Sequence, residues 1–199
     1  MDAMGTGRIE YWRRNLDAWV PSARHAHESH ALRACRLAVE AAAVGTYGVG
    51  AVLFDADDQV IVEGRNKVHE GEFRSDLHAE MVLMNEYETS GWPRDKAEEC
   101  TLVTSLEPCP MCMARLIVAG VGSVLYVSGD ALGGMVHRRH GLPPTFRAMS
   151  EQQVWRPADC SEELRSAAFE IWSESRDRLD HRLPRNRPLH PLVGRVAAS

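Results

Sequence analysis

This sequence of 199 residues contains no apolar run of 18 residues, so no membrane-spanning helix is expected from it. Its first stretch, Met1 to Trp19, is charged and lacks the apolar centre of a secretory signal. Positive charge is also scarce. Asp and Glu number 28 against 23 Lys and Arg, giving a formal net charge of −5, and Lys67 and Lys96 are the only lysines. That balance supplies no overall field to recruit a phosphate backbone, which leaves a local basic patch as the one route to nucleic acid. The five cysteines (Cys35, Cys100, Cys109, Cys112, Cys160) are odd in number and lack disulfide-like spacing, pointing to a reduced, cytoplasmic protein. Internal repeats are absent, which excludes a solenoid. What is present, 44% hydrophobic and 26% charged residues, describes one globular domain with room for a core.

The chain divides into an N-terminal extension (1–28), a domain (29–182) and an Arg/Pro-rich tail (183–199) that is disordered or laid on a partner subunit. The extension holds a short helix around Ile9 to Trp19 or is loosely held. Its His25, His27 and His30 are surface residues or a second metal site. Leu32, Cys35, Val39 and Ala42 form an apolar helical stripe ended by Gly45, so Cys35 reads as a small buried hydrophobe. Residues 49–54 and 60–63 are predicted strands about a turn at 55–58. A second helix begins near Asp76 or Leu77 and stops at Gly91-Trp92-Pro93. Thr101 to Ser105 is a strand, Pro110 opens a helix ending at Gly120, and Ser123 to Ser128 is the next strand. Strand, helix and strand in so short a span predict a right-handed parallel crossover and an α/β fold. The segment 133–144 reads as a loop, and Ser161 to His181 as a helix with Ser161 as N-cap.

The chemistry concentrates in two short stretches. His78 is followed two residues later by Glu80, and 31 positions after His78 come Cys109 and Cys112 at i, i+3. One imidazole and two thiolates are a sufficient protein ligand set for a catalytic zinc that keeps its fourth position open. His78 and the Cys109, Cys112 pair sit at two predicted helix starts, where partial positive charge favours thiolates. Zinc held this way lowers the pKa of its water to roughly 7, and Glu80, no ligand itself, is placed to shuttle the proton. A structural zinc site is the alternative. It usually takes four protein ligands, and no fourth Cys or His has matching spacing.

The pieces His78-Ala79-Glu80 and Glu107-Pro108-Cys109-Pro110-Met111-Cys112, with Val49-Gly50-Ala51-Val52 and Asn66, make residues from about Ser29 to Gly141 resemble the cytidine/deoxycytidylate deaminase superfamily. Within it they resemble the branch of guanine deaminases, fungal-type cytosine deaminases and tRNA adenosine deaminases. The resemblance implies a three-layer α/β/α fold with about five strands, a bound Zn2+ and a homodimer or larger assembly. It also implies that Asn66 hydrogen-bonds the base or ribose, that the backbone of Ala79 meets the ring's carbonyl or amide edge, and that Glu107 lies near the leaving-group side. A turn Asn, and a Glu satisfying backbone groups, are the plainer roles for Asn66 and Glu107. The metal motifs are specific for the superfamily and weakly specific for substrate.

Pro110 between the cysteines resembles the guanine deaminases. The acidic composition departs from the tRNA enzymes, as does the region 133–144 after the last matching strand. Trp92, His137, Phe146 and Trp155 are candidate pocket walls, with core packing as the alternative for the aromatics; Met81, Met84, Met111 and Met113 read as core. The reading reached is a zinc-dependent hydrolytic deaminase of a small heterocycle or nucleoside, a guanine-like purine favoured. The alternatives are a tRNA adenosine deaminase, a cytosine or cytidine deaminase, and a catalytically silent zinc scaffold. Glu80 speaks against the last, because a scaffold needs no acid there.

Overall fold

The computed structural model describes residues 3–179. Within them the chain runs α1 (Ala3–Asp17), α2 (Glu28–Ala43), β1 (Gly50–Phe54), β2 (Val60–Arg65), α3 (Ala79–Thr89), β3 (Thr101–Leu106), α4 (Pro110–Ala119), β4 (Ser123–Ser128), α5 (Pro144–Ser150), β5 (Val154–Pro157) and α6 (Glu162–Leu179). The strands form one mixed sheet in the order β2-β1-β3-β4-β5. Strand β1 is antiparallel to β2 and to β3, whereas β3, β4 and β5 run parallel. Parallel neighbours need crossovers, and α4 and α5 lie in those connections.

Side chains alternate across the strands, and this alternation makes the layers. Val52, Phe54, Val103, Leu125 and Val127 face a core shared with α1, α2 and α6. Ala51, Leu53, Leu102, Leu106 and Val124 face the opposite core, shared with α3 and α4. The α/β/α sandwich of five strands is therefore observed. The stripe Leu32, Cys35, Val39 and Ala42 is buried as expected, and burial pushes the Cys35 thiol far up, so it is inert.

The first helix starts earlier than the sequence predicts and is packed on the domain. Ile9 and Leu16 enter the core, with Trp12 and Trp19 against it. Ser161 precedes α6 as expected, but its hydroxyl donates to the buried Glu28 at 2.7 Å, joined there by its own N–H and by Trp19 Nε1. The stretch after Asp130 is more ordered than a loop: a 3-10 turn spans Val136–Gly141, and α5 and β5 follow. Both elements escape periodicity because α5 has seven residues, and β5 has four of which only Trp155 is buried. The tail 183–199 lies outside the described residues.

The histidine group does not assemble a second metal site among the described residues. His25 Nδ1 lies 3.0 Å from Asp159 Oδ1, His27 Nδ1 accepts the Asp159 N–H at 3.0 Å, and His30 Nε2 lies 3.2 Å from Asp58. Accepting that N–H requires neutral His27. Burial, then Arg156 and His30, lowers the His27 pKa from 6.5 against the pull of Asp159 and Asp58. The unfolded chain therefore binds the proton more readily, and stability present above pH 6.5 is lost as pH falls through the lowered folded value. Urea midpoints at pH 7.5 and 5.5 are expected to fall in the wild type and to fall less in His27→Gln; an equal fall in both would remove His27 as the cause.

One glycine sets the seat of α3. A Cβ on Gly64 of β2 would stand 2.5 Å from the Ala79 carbonyl oxygen and 2.7 Å from the Leu83 nitrogen. Both are backbone atoms, so the helix must move to admit a methyl. Gly64→Ala is expected to cost roughly 1–3 kcal/mol, as overpacking does, and to weaken zinc retention because His78 adjoins the displaced end. Urea unfolding and metal analysis check this; an unchanged urea midpoint would show that α3 can slide freely.

Candidate active site

His78 occupies the N-cap position of α3 in extended backbone, and its carbonyl accepts the first helical bond from Val82. Cys109 holds the same position on α4, Pro110 follows as the first helical residue, and Cys112 lies in the first turn. The parallel β3–α4 unit thus delivers its two sulfurs at the carboxyl end of β3, while α3 delivers the imidazole from the neighbouring helix. His78 Nδ1 lies 3.5 Å from Cys109 Sγ and 3.7 Å from Cys112 Sγ. Tetrahedral zinc with ordinary Zn–N and Zn–S bonds separates such atoms by about 3.6 Å. All three ligand atoms lie within 4.8 Å of one another, so the donor set fits zinc in both chemistry and spacing. No fourth His, Cys or carboxylate joins this group among the described residues.

Cys109 is held down to about 4, first by the hydrogen bond from Cys112 and then, against burial, by His78; Cys112 is correspondingly pushed up. Glu80 is buried in the first turn of α3. Its Oε2 takes a hydrogen bond from Cys112 Sγ at 3.3 Å, and its Oε1 takes one from the Thr104 hydroxyl at 3.4 Å. Burial, and next the charge on Cys109, raise its carboxyl above the ordinary glutamate value. A carboxyl beside the ligand group and raised toward neutrality suits a proton carrier.

A cavity of about 480 Å3 opens onto this cluster, within the range of small-molecule sites. His78, Glu80, Cys109, Asn66 and Glu107 all line it, so the structure brings five of the seven sequence-selected residues to one wall. Asn66 is buried, and its Oδ1 accepts from Thr46 Oγ1 at 2.6 Å and Val68 N–H at 3.0 Å. The Val68 N–H can only donate, which fixes the oxygen there and leaves the NH2 as the end available to a ligand. Cys112 lies beneath, and Ala79 starts α3 with its side chain in the core; the Ala79 N–H is among those with no acceptor inside the helix.

Glu107 takes the plainer role of satisfying neighbouring donors and also reaches the cavity wall. It lines the cavity, yet its oxygens accept from Asp130 N–H (3.0 Å), His137 N–H (3.0 Å) and His137 Nδ1 (2.8 Å). Burial opposes its ionisation, but these donors outweigh it and hold the carboxyl below the ordinary value.

The candidate wall aromatics take their core-packing reading. Trp92, Phe146 and Trp155 pack with the α3–α4 core, and His137 is bound to Glu107, so none lines the cavity. Met111, expected in the core, faces the cavity instead. Tyr47, Phe73 and Trp172 supply the aromatic surface, with Asp130 and Arg176 as further polar wall. Asp130 could have been found from its place just beyond the carboxyl end of a parallel strand, where open α/β sheets bind ligands. Nothing in the local pattern marks Tyr47, Phe73, Trp172 or Arg176.

Residues 24–128, just over half of the chain, match the family described as the cytidine and deoxycytidylate deaminase zinc-binding region. A tRNA(Ile)-lysidine synthase of Deinococcus radiodurans is 36% identical over 106 residues, covering 51% of this chain and 18% of that protein. The tRNA-specific adenosine deaminase of Bacillus subtilis is 33% identical over 109 residues, covering 54% and 65% respectively, and the guanine deaminase of the same species is 30% identical over 102 residues, covering 51% and 64%. This chain thus spans less than two-thirds of each of these proteins. A solved structure from work on A-to-I editing by tRNA:A34 deaminases superposes with a TM-score of 0.59 at 27% identity, covering 72% of this chain and 99% of that one.

Proposed function

The chain belongs to the family of zinc-binding cytidine and deoxycytidylate deaminases, and from that premise we propose that it hydrolyses the C–NH2 bond of a small amino-substituted heterocycle. The favoured ring is a guanine-like purine, as free base or nucleoside. One observation carries the reading: a three-ligand set of His78, Cys109 and Cys112 stands beside a buried carboxylate, Glu80, that the metal does not need as a ligand.

Those three residues would hold the zinc, which when bound supplies the Lewis acidity that makes water a nucleophile near neutral pH. Glu80 accepts the attacking water's proton, delivers it to the ring nitrogen beside the attacked carbon, and then serves the departing amine; water and the amidine become carbonyl and ammonia. The Asn66 NH2, with Oδ1 fixed by Thr46 and Val68, offers donors to a ring acceptor. Tyr47, Phe73 and Trp172 offer faces on which a flat ring stacks. The cavity volume of about 480 Å3 and the net charge of −5 support a small molecule over a polynucleotide. Pro110 and the guanine deaminase among the relatives support the purine.

The test is ammonia release by the zinc-loaded protein from guanine, guanosine, adenosine, cytosine, cytidine, pterins and a tRNA anticodon stem-loop, with Glu80→Ala as control. Release from one small molecule, abolished in the control, supports the proposal. Release from the stem-loop alone, falling as salt rises, transfers the protein to the RNA-acting branch. Silence on the whole panel counts against the favoured substrates and for the scaffold.

A further inference from the structure

Part of the cavity wall comes from outside the segment that matches the deaminase family. The match ends at residue 128, whereas Trp172 and Arg176 stand on α6. They are one helical turn apart, and the Arg176 guanidinium lies 4.7 Å over the centre of the Trp172 ring. Stacking of this kind fixes the plane of a guanidinium without consuming its N–H groups. Arg176 Nε and Nη2 donate to Asp177 Oδ1 at 2.9 and 2.7 Å, and Nη1 has no hydrogen-bond partner among the described residues. The Asp177 side chain is 67% exposed, so water screens that pair and leaves the guanidinium its positive field.

The charges around the cavity make this residue stand apart. Arg176 is the only Arg or Lys among the described residues lining it; the acids there are Glu80, Glu107 and Asp130. A neutral ring is served by Asn66, the acids and the aromatic faces, and has no use for a guanidinium. A bare bicyclic ring also leaves part of the 480 Å3 unfilled. The geometry points to Arg176, backed by Trp172, as the receptor for an anionic group that the substrate carries besides the amine it loses. The group is a phosphate or a carboxylate, both of which fit the planar fork. This narrows the substrate from amino-heterocycles in general to those with an anionic substituent. It rests on the deaminase reading only for the amine that is lost.

The test is isothermal titration of the zinc-loaded full chain with two matched pairs: guanosine against guanosine 5′-monophosphate, and pterin against pterin-6-carboxylate. At least one anionic member is expected to bind about tenfold or more tightly than its neutral partner. R176Q should bring that ratio close to one at unchanged zinc content, and R176K, which keeps the charge and loses the fork, should leave an intermediate ratio. Which pair discriminates tells phosphate from carboxylate. No preference in either pair, or a preference that survives R176Q, overturns the proposal; should R176Q lose zinc, the R176K ratio decides. Ammonia release is read separately on the same samples. Anion preference without ammonia sinks the deaminase reading alone, and ammonia without anion preference sinks this one alone.

Discussion

Glu80→Ala is expected to lose about 10²–10⁴-fold in kcat while keeping zinc, the range in which removing a positioned general acid–base group falls. That loss is about 3–5 kcal/mol of transition-state stabilisation. The variant keeps its metal because the ligand atoms come from His78, Cys109 and Cys112 and not from Glu80. Stability should not fall with activity. In the metal-free protein the raised carboxyl pKa means that the ionised form is disfavoured in the fold, so there its removal relieves burial and the neighbouring Cys109 charge. Glu80→Gln separates charge from shape: it fills the same space against Thr104 and cannot carry the proton, so it should be as inactive as Ala. Metal analysis, melting temperature and ammonia release on one preparation read all three quantities. Loss of zinc, or undiminished turnover, would take the proton-carrier role away from Glu80.

Cys112→Ala is expected to be the most damaging change to the metal site. It removes one of three protein ligands from the buried side of the cluster, and a neutral His and one thiolate hold zinc far more weakly. Since bound metal stabilises the folded state by mass action, losing a site filled at 1,000 times its Kd removes about 4 kcal/mol of apparent stability. Dialysis against a chelator followed by metal analysis should leave wild type near one zinc per chain and Cys112→Ala near none, with melting lowered to match. A variant that retained stoichiometric zinc would rule out the three-residue ligand set.

Both expectations rest on residues that were legible before any coordinates. Cys109 and Cys112 are three positions apart, which puts both sulfurs on one side of the first turn of α4, and Glu80 enters the first turn of α3 just after the extended N-cap His78. The stripe of α2 and the alternation of the strands were legible for a similar reason: period 3.6 or period 2 burial writes itself into residue type. Where an element is short or half exposed, as α5 and β5 are, no period accumulates, and the sequence predicts neither of them, although it predicts α6 beyond them.

The cavity wall was not legible. Trp92, Phe146 and Trp155 were sound aromatic candidates by type, yet they turn into the core, while Tyr47, Phe73 and Trp172 turn into the cavity. Composition tells that an aromatic is to be buried and not against what. Glu107 illustrates the same limit, since only the approach of His137 and Asp130 shows that its carboxylate is already engaged by three donors.

The sequence by itself determined the family, the α/β class and the His78, Cys109, Cys112 group that could hold zinc, because each is encoded in separations of a few residues or in a repeating pattern. The tertiary structure decided which distant segments meet. It brought His78 to the two sulfurs from the neighbouring helix, lined the cavity with Trp172 and Arg176 from the last described helix, and turned the other candidate aromatics into the core. Such meetings follow from how helices seat on a twisted sheet, at Gly64 for α3 and along the α2–α6 core, and no local spacing carries that information.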